Sequence, residues 1–392
     1  MPFLISRLAE KLNKQQKLGL TRSRTVVTYR EGTLLHCHDQ HYLSFLNNDY
    51  LGLSQHPDVI KAFQCGALRY GVGSSGSALL GGYYDIHKQL EENLADFLGY
   101  ERAIVFSSGY MANLAILMSL THSEDEIFED KLNHASLIDA GLYCKAQFKR
   151  YRHNDILDLE KKLRLSNKKN KWIISDGVFS MSGEIAPLSE LVALSQLFDT
   201  QLLIDDAHGI GVLGQTGKGI LEHHPISSQH VPILVGTFGK AFGTQGAFVA
   251  GEGFLIESLL QFARGYIYTT ALSPALACAT MTSLKIIQKE SWRREYLQFL
   301  IDRFSHGARS LNLPLLPSKT PIQVIILNQP ERTMQIANLL KQHGILVGAI
   351  RPPPTVPPHQ ARLRINLNIH HTQDDIDHLL DALAKIEQHH VF

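Results

Sequence analysis

The chain has 392 residues, 44% hydrophobic and 19% charged, which is past the length at which a single core stops growing, so two or three domains around one large core region are expected. Lysines and arginines (38) nearly balance aspartates and glutamates (37), and the resulting net charge of +1 gives nothing to attract nucleic acid or an anionic membrane. The four cysteines, Cys37, Cys65, Cys144 and Cys278, are scattered with no Cys-x-x-Cys spacing, which fits a reducing compartment and argues against a disulfide framework or a zinc site.

At the N-terminus the apolar run in Met1 to Arg7 is too short for a signal segment and leads into Glu10, Lys11 and Lys14, predicting a surface helix of a cytoplasmic protein. Residues 1–48 are expected to form a helical or extended segment, 49–285 a large α/β domain, and 286–392 a smaller α+β domain. Within the large domain Pro57 to Tyr70 is amphipathic. Short apolar runs then alternate with amphipathic stretches: Ala103 to Phe106, Glu126 to Phe128, Trp172 to Ile174, Gln201 to Ile204, Ile233 to Val235 and Ala247 to Ala250. That alternation is the pattern of a mostly parallel sheet with helices on both faces, in which ligands gather at the carboxyl ends of the strands.

A long helical stretch from Pro274 to about Phe304 follows. Beyond it come a strand at Val324 to Leu327, a helix at Glu331 to Gln342, a strand at Ile345 to Ile350 and the proline-rich loop Pro352 to Pro358. The last helix opens on Thr372-Gln373-Asp374-Asp375, a capping-box-like signal, and carries Ile376, Leu379, Leu380, Leu383 and Ile386 at helical spacing. No repeat, low-complexity segment or apolar span of membrane length is present in the sequence.

Two runs carry the chemistry. Leu202-Leu203-Ile204-Asp205-Asp206-Ala207-His208-Gly209 ends a buried apolar strand in a carboxylate and adds an imidazole three residues on. Thr237-Phe238-Gly239-Lys240-Ala241-Phe242-Gly243 sets one lysine between glycines after another apolar strand. A pyridinium ring needs such partners: a carboxylate at its nitrogen to keep it protonated, and a lysine to hold it as a Schiff base, so the pair reads as a grip on pyridoxal 5'-phosphate. Ser108, Gly109 and Tyr110 stand where a strand passes into a helix, either as an anion site made of free helix N–H groups or as an ordinary turn. Thr237 is placed to add a hydroxyl to the same phosphate. His134 either stacks on the ring or is a surface histidine; Ser180 either bonds around the ring or is a turn serine.

Other motifs compete poorly. Gly71-Val72-Gly73-Ser74-Ser75-Gly76 fits G-x-G-x-x-G in letters, but an amphipathic stretch rather than a strand precedes it and no suitable acid follows. Gly239-Lys240 lacks the spacing of a phosphate-binding P-loop, and neither G-x-S-x-G nor H-E-x-x-H occurs. The pairs His223-His224, His370-His371 and His389-His390 are expected to be solvated, and no metal is expected.

Taken in order, Asn47-Asn48-Asp49-Tyr50-Leu51-Gly52-Leu53, Gly71 to Ser77, Asp205 to Gly209, Thr237 to Lys240 and Ala361-Arg362-Leu363-Arg364 resemble the α-oxoamine synthases, a branch of the fold-type I pyridoxal phosphate enzymes, over nearly the whole chain. Ala349 to Pro357 and Leu260 to Arg264 resemble the biotin-pathway members, with one apparent extra proline in the loop. The resemblance implies catalytic roles for Lys240, His134, Asp205 and His208. It implies a cofactor pocket completed by Ser108, Gly109, Tyr110, Ser180 and Thr237, and substrate contacts from Arg22, Asn48, His134, Thr355 and Arg364. Strand alternation puts Arg362 and Arg364 on one face, so either arginine can face the site; the resemblance selects Arg364 for the amino-acid carboxylate. The implied partners are L-alanine, pimeloyl-CoA or a pimeloyl acyl carrier protein, and a second copy of the chain, with the site at the subunit boundary and the Gly71 to Ser77 loop reaching across. Other α-oxoamine synthase substrates (glycine or serine, and other acyl chains) and an inactive scaffold homologue are the rival expectations.

Overall fold

The computed structural model describes residues 3–38, 40–352 and 356–388. Its central sheet has seven strands, in spatial order Arg102–Phe106, Ala247–Gly251, Ile233–Thr237, Gln201–Asp205, Lys171–Asp176, Glu126–Asp130 and Gln147–Tyr151. All neighbours are parallel except at Ala247–Gly251, which runs antiparallel to both strands beside it. The edge strand Gln147–Tyr151 gives no apolar run in sequence because it is only partly buried and alternates polar side chains.

Period-two alternation divides the sheet between two apolar cores. Ile104, Phe106, Ile174, Leu203, Ile233, Val235 and Val249 point to one; Val105, Ile173, Leu202, Ile204, Leu234 and Phe248 point to the other. Both faces are therefore closed to water, and the polar residues at the strand ends collect along one edge of the sheet. Helix Gly109–Leu120 lies against the first core. It is nearly uniformly apolar on the sheet side, and Ser108 caps it, its hydroxyl accepting from Met111 N at 3.2 Å.

The amphipathic stretch at 57–70 is the helix Pro57–Tyr70, and the glycine-rich run after it is a loop, so no strand leads into Gly71. The N-terminal helix Phe3–Lys17 buries none of its residues. The expected long helix from Pro274 is two, Pro274–Lys289 and Trp292–Ser310, separated at Glu290 and Ser291. Residue 285 lies inside the first of them.

The C-terminal part holds a three-stranded antiparallel sheet, ordered Ile322–Asn328, Ala361–Asn366 and Gly348–Ile350. The single strand expected at Ile345 to Ile350 is broken at Val347. Its second half joins this sheet, while Ile345–Leu346 pairs in parallel with Gln40–Ser44 in a separate sheet containing Tyr29–Glu31 and Leu34–Cys37. Thus the N-terminal segment is built into the C-terminal layer, with Phe45 N donating to Leu346 O and Asn366 N to Phe45 O, each at 2.9 Å.

His370-His371 is not a solvated pair: His371 is fully buried, stacks on Phe45 with ring centroids 4.2 Å apart, and places Nε2 3.2 Å from Ser44 O. His389 and His390 lie outside the described residues. The last helix, Gln373–Gln388, starts as expected, with Thr372 and Asp375 bonding reciprocally: Thr372 N donates to Asp375 Oδ2 at 2.8 Å and Asp375 N to Thr372 Oγ1 at 3.1 Å. Among the described residues no helix is long and apolar enough to cross a membrane.

Candidate active site

The strand ends of the central sheet open into a cleft. Gly109 and Tyr110 line it from the helix N-terminus, His134 and Ser136 from the start of helix Ala135–Tyr143, and Asp176, Val178 and Ser180 from the segment after Lys171–Asp176. Asp205, Ala207 and His208 follow the next strand, and Thr237 and Lys240 the one after that. Residues scattered over more than a hundred positions meet because parallel strands deliver all their carboxyl ends to one edge.

Lys240 stands on the loop that turns Ile233–Thr237 back into Ala247–Gly251. Phe238 N donates to Gly246 O at 2.9 Å, and Thr244 N returns to Phe238 O at 2.8 Å. Gly243 makes the turn possible: its φ is +67°, and a Cβ there would lie 2.2 Å from Ser54 N. Burial pushes the Lys240 amine down to about 8, with Asp205, Asp176 and Asp206 pulling it up and Arg364 opposing them. About a tenth is therefore uncharged at pH 7, against well under a thousandth for an ordinary lysine, and the uncharged form is the one a nucleophile or base requires.

Asp205 is buried, and its two oxygens are separately engaged. Ala207 N donates to Oδ1 at 3.0 Å and Asn113 Nδ2 to Oδ2 at 2.7 Å. Directly behind it, Asp206 accepts from Ile220 N at 2.7 Å and faces away from the cleft. Burial and the neighbouring Asp205 charge hold Asp176 well above the usual carboxylate range, and its Oδ2 accepts from His134 N at 2.9 Å.

His208 is buried beside Tyr50. Burial pushes the Tyr50 phenol up to about 12, so it keeps its proton, and its hydroxyl lies 2.7 Å from His208 Nδ1. Burial, reinforced by Lys240 and Arg364, holds His208 well below the usual imidazole range. A neutral ring that accepts at Nδ1 carries its hydrogen on Nε2 and donates from there.

Arg362 and Arg364 both grip the turn after Asp176, in different places. Arg364 donates from Nε to Ser180 O at 2.6 Å and from Nη2 to Asn48 Oδ1 at 3.3 Å. Arg362 donates to Met181 O at 3.1 Å and is otherwise turned to Gln360, 2.9 Å from its carbonyl and 2.7 Å from Oε1. Their neighbours differ: Arg364 stands beside Asn48 and Tyr50, whereas Arg362 is 2% exposed and bonded to Gln360 and Met181.

The donor set fits a phosphorylated pyridine. A carboxylate and a depressed amine share one cleft, and the N-terminal amides of helix Gly109–Leu120 face it. A Cβ built on Gly109 would meet nothing nearer than Ala247 Cβ at 4.0 Å, so that helix end is open to an anion. Thr237 lines the same cleft; its hydroxyl donates to Gly246 O at 2.9 Å and accepts from Gly239 N at 3.3 Å. The Ser108 hydroxyl is occupied as the cap, which leaves Gly109 and Tyr110 as the residues lining the cleft there.

Residues 40–383 match the family of class I and II aminotransferases. Over 378 residues the chain is 50% identical to the 8-amino-7-oxononanoate synthase of Ectopseudomonas mendocina (strain ymp), covering 96% of this chain and 97% of that one. The chain belongs to the 8-amino-7-oxononanoate synthase family. A crystal structure of the synthase from Francisella tularensis is 35% identical, with a TM-score of 0.78, covering 90% of this chain and 99% of that one. A serine palmitoyltransferase from S. paucimobilis, solved with bound PLP and myriocin, is 30% identical with a TM-score of 0.92, covering 97% of each chain. The architecture is that of the fold-type I pyridoxal phosphate transferases.

Of the remaining synthase positions, Asn48 touches Arg364 as described. Arg22 is exposed in the extended stretch before Tyr29 and does not line the cleft, although Gly19 nearby accepts from Arg351. Thr355 lies outside the described residues. Tyr50, Asn113, Ser136 and Asp176 are cleft or supporting residues that sequence reasoning did not select. Asp176 carried a signal: like Asp205, it is an acid that ends a buried apolar strand.

Proposed function

We propose that the chain catalyses the decarboxylative condensation of L-alanine with a pimeloyl thioester, giving 8-amino-7-oxononanoate, carbon dioxide and the free thiol carrier, as a step of biotin biosynthesis. The convergence of Lys240, Asp205 and His208 in one cleft, with Arg364 bonded to the carbonyl of Ser180 in its lining, supports this reading most directly. When bound, pyridoxal phosphate supplies an electron sink for negative charge at the α-carbon of the amino acid. Asp205 would hold the proton at the ring nitrogen, and His208 would donate from Nε2 to the ring's phenolic oxygen. Gly109, Tyr110, Ser180 and Thr237 complete the pocket around ring and phosphate.

Arg364 orients the alanine carboxylate, a bidentate geometry that lysine does not reproduce. Lys240 Nζ then takes the α-proton of alanine. His134 covers the ring and the amino-acid side, and Asn48 holds Arg364 in place. The bond between the alanine α-carbon and the thioester carbonyl carbon forms as the thiol leaves, the carboxylate departs as carbon dioxide, and a proton takes its place on the α-carbon. Arg22 and Thr355 are assigned to the acyl chain, borne by coenzyme A or by an acyl carrier protein.

The working unit is a homodimer with the site at the boundary. Leu68 and Leu80, which flank the Gly71 to Ser77 loop, and Val72 within it are 89%, 83% and 84% exposed, an apolar surface that a second copy would cover. A cytoplasmic setting accords with four cysteines that are all free thiols.

A serine-using reading is favoured by one observation, the higher TM-score with the serine palmitoyltransferase. Mass spectrometry of products from alanine, glycine and serine, each offered with pimeloyl, acetyl, succinyl and palmitoyl thioesters, decides between them. The expected product is 8-amino-7-oxononanoate from alanine and a pimeloyl thioester; preferential turnover of serine with the palmitoyl donor would replace the proposal, and no turnover of any pair would leave a non-catalytic homologue.

A further inference from the structure

Asn113 lies on helix Gly109–Leu120, is wholly buried, and was not selected by any sequence motif. Its Nδ2 makes two bonds: to Asp205 Oδ2 at 2.7 Å and to Ser136 Oγ at 2.8 Å. An amide nitrogen has two hydrogens, so both can be donated at once. Turning the amide over would set its carbonyl oxygen against the Asp205 carboxylate, so the chemistry fixes its orientation. The consequence is an Oδ1 buried without a hydrogen-bond partner among the described residues, an unfavourable arrangement that persists because both donors are in use.

The Ser136 hydroxyl accepts from Asn113 and stands 2.7 Å from His134 Nδ1, while Ser136 N also donates to Nδ1 at 3.3 Å. With a backbone N–H aimed at it, Nδ1 is an acceptor. The hydroxyl proton of Ser136 therefore points to Nδ1, and the imidazole hydrogen sits on Nε2.

We propose that Asn113 is a positioning residue that sets both groups flanking the cofactor ring through one relay, Asp205 Oδ2 to Asn113 Nδ2 to Ser136 Oγ to His134 Nδ1, fixing the Asp205 carboxylate and locking His134 as the neutral Nε2–H tautomer. This rests on the assignment of the cleft to pyridoxal phosphate. The purpose is a division of charge. A protonated imidazole against the ring would compete with the ring nitrogen for the stabilisation that Asp205 offers; a neutral one leaves that to the ring alone.

The surroundings of His134 agree. Its ring has an open side toward the cleft, yet loss of water around it lowers its basicity, Lys240 lowers it further, and Asp205 and Asp139 oppose them. Asp176 meets its backbone N–H rather than its ring. The relay supplies what these opposing charges do not, a geometric reason for one tautomer.

Nitrogen NMR of histidine-labelled protein without cofactor reads the tautomer directly, with a His134→Gln variant to assign the signal. The expected result in the unaltered sequence is neutral His134 with hydrogen on Nε2 at pH ~7.5, above the ordinary histidine value. An Nδ1–H tautomer or an imidazolium at that pH overturns the proposal with no variant needed. In Asn113→Ala and in Ser136→Ala the signal should shift toward Nδ1–H or the charged form, and an unchanged tautomer in both also overturns it. Titration with pyridoxal phosphate, followed by protein fluorescence, should show roughly ten- to hundredfold weaker binding for Asn113→Ala, the scale of one lost hydrogen bond to a charged group. Ser136→Ala, which keeps the Asn113–Asp205 bond, should bind the cofactor nearly as tightly as the unaltered protein; equal weakening in the two variants would mean that the relay does not act in the stated order. Absence of cofactor binding by the unaltered protein would instead refute the cleft assignment, a separate outcome.

Discussion

Tyr50 places its hydroxyl 2.7 Å from His208 Nδ1, joining the turn before helix Pro57–Tyr70 to the loop after strand Gln201–Asp205. The bond sets which nitrogen of His208 donates into the cleft. Tyr50→Phe removes it with little change of volume, so His208 is free to exchange its two tautomers. The expected loss in kcat is roughly fivefold, about 1 kcal/mol, with far-UV circular dichroism unchanged. Unchanged kcat in this variant would remove His208 tautomer control from the mechanism.

Lys240 gives a pH prediction with a definite sign. Its amine sits at about 8, below the ordinary lysine value of about 10.4, so the uncharged form grows as pH rises through 8. The rate at which cofactor-free protein captures pyridoxal phosphate should climb over that range and then level. A rate that climbs only above about pH 10 would falsify the assignment. Lys240→Ala should retain the fold and lose turnover by several orders of magnitude, roughly a thousandfold or more.

The two arginines of strand Ala361–Asn366 should separate by kind of defect. Arg364→Lys keeps the charge but loses the planar fork, and alanine binding, read from the visible absorbance of the holoenzyme, should weaken by about 1.5–3 kcal/mol. Arg362→Lys should lower the Tm and leave alanine binding nearly unchanged, because its bonds go to Gln360 and Met181. The opposite ordering would move the carboxylate site to Arg362.

His371 ties pH to stability. Burial holds it at about 4, while an unfolded histidine titrates near 6.5. Between those values the unfolded chain binds the extra proton, so this contribution is complete above about 6.5 and is lost as pH falls toward 4. Urea midpoints should fall across that window more steeply than in His371→Gln, which is itself less stable at neutral pH. Parallel pH profiles for the two proteins would show that His371 does not supply the dependence.

The central sheet was legible because each of its buried strands carries an unbroken apolar run, and Lys240 and Asp205 were legible because each follows one. The edge strand Gln147–Tyr151 and the Leu34–Cys37 hairpin were not, since half-exposed strands lack that signature. The strand at 345–350 was read as one because its apolar residues are continuous; its break at Val347 comes from two pairing partners distant in sequence. Asn113 was invisible for a related reason. A single amide in an apolar helix acquires meaning only when Asp205 and Ser136, which are 92 and 23 residues away, are brought to either side of it.

The pairing of Gln40–Ser44 with Ile345–Leu346, and the bond from Arg364 to Asn48 across 316 positions, impose an order on assembly during translation. The chain emerges N-terminus first, and every strand of the central sheet has been synthesised by Gly251. The lysine, its carboxylates and the helix end that faces them can therefore come together on a nascent chain. Asn48, although made early, must wait for the last tenth of the polypeptide before Arg364 arrives to meet it. A ribosome-bound fragment ending shortly after the central sheet would hold the elements for cofactor capture while lacking the arginine that receives alanine, so the two halves of the cleft mature at different times.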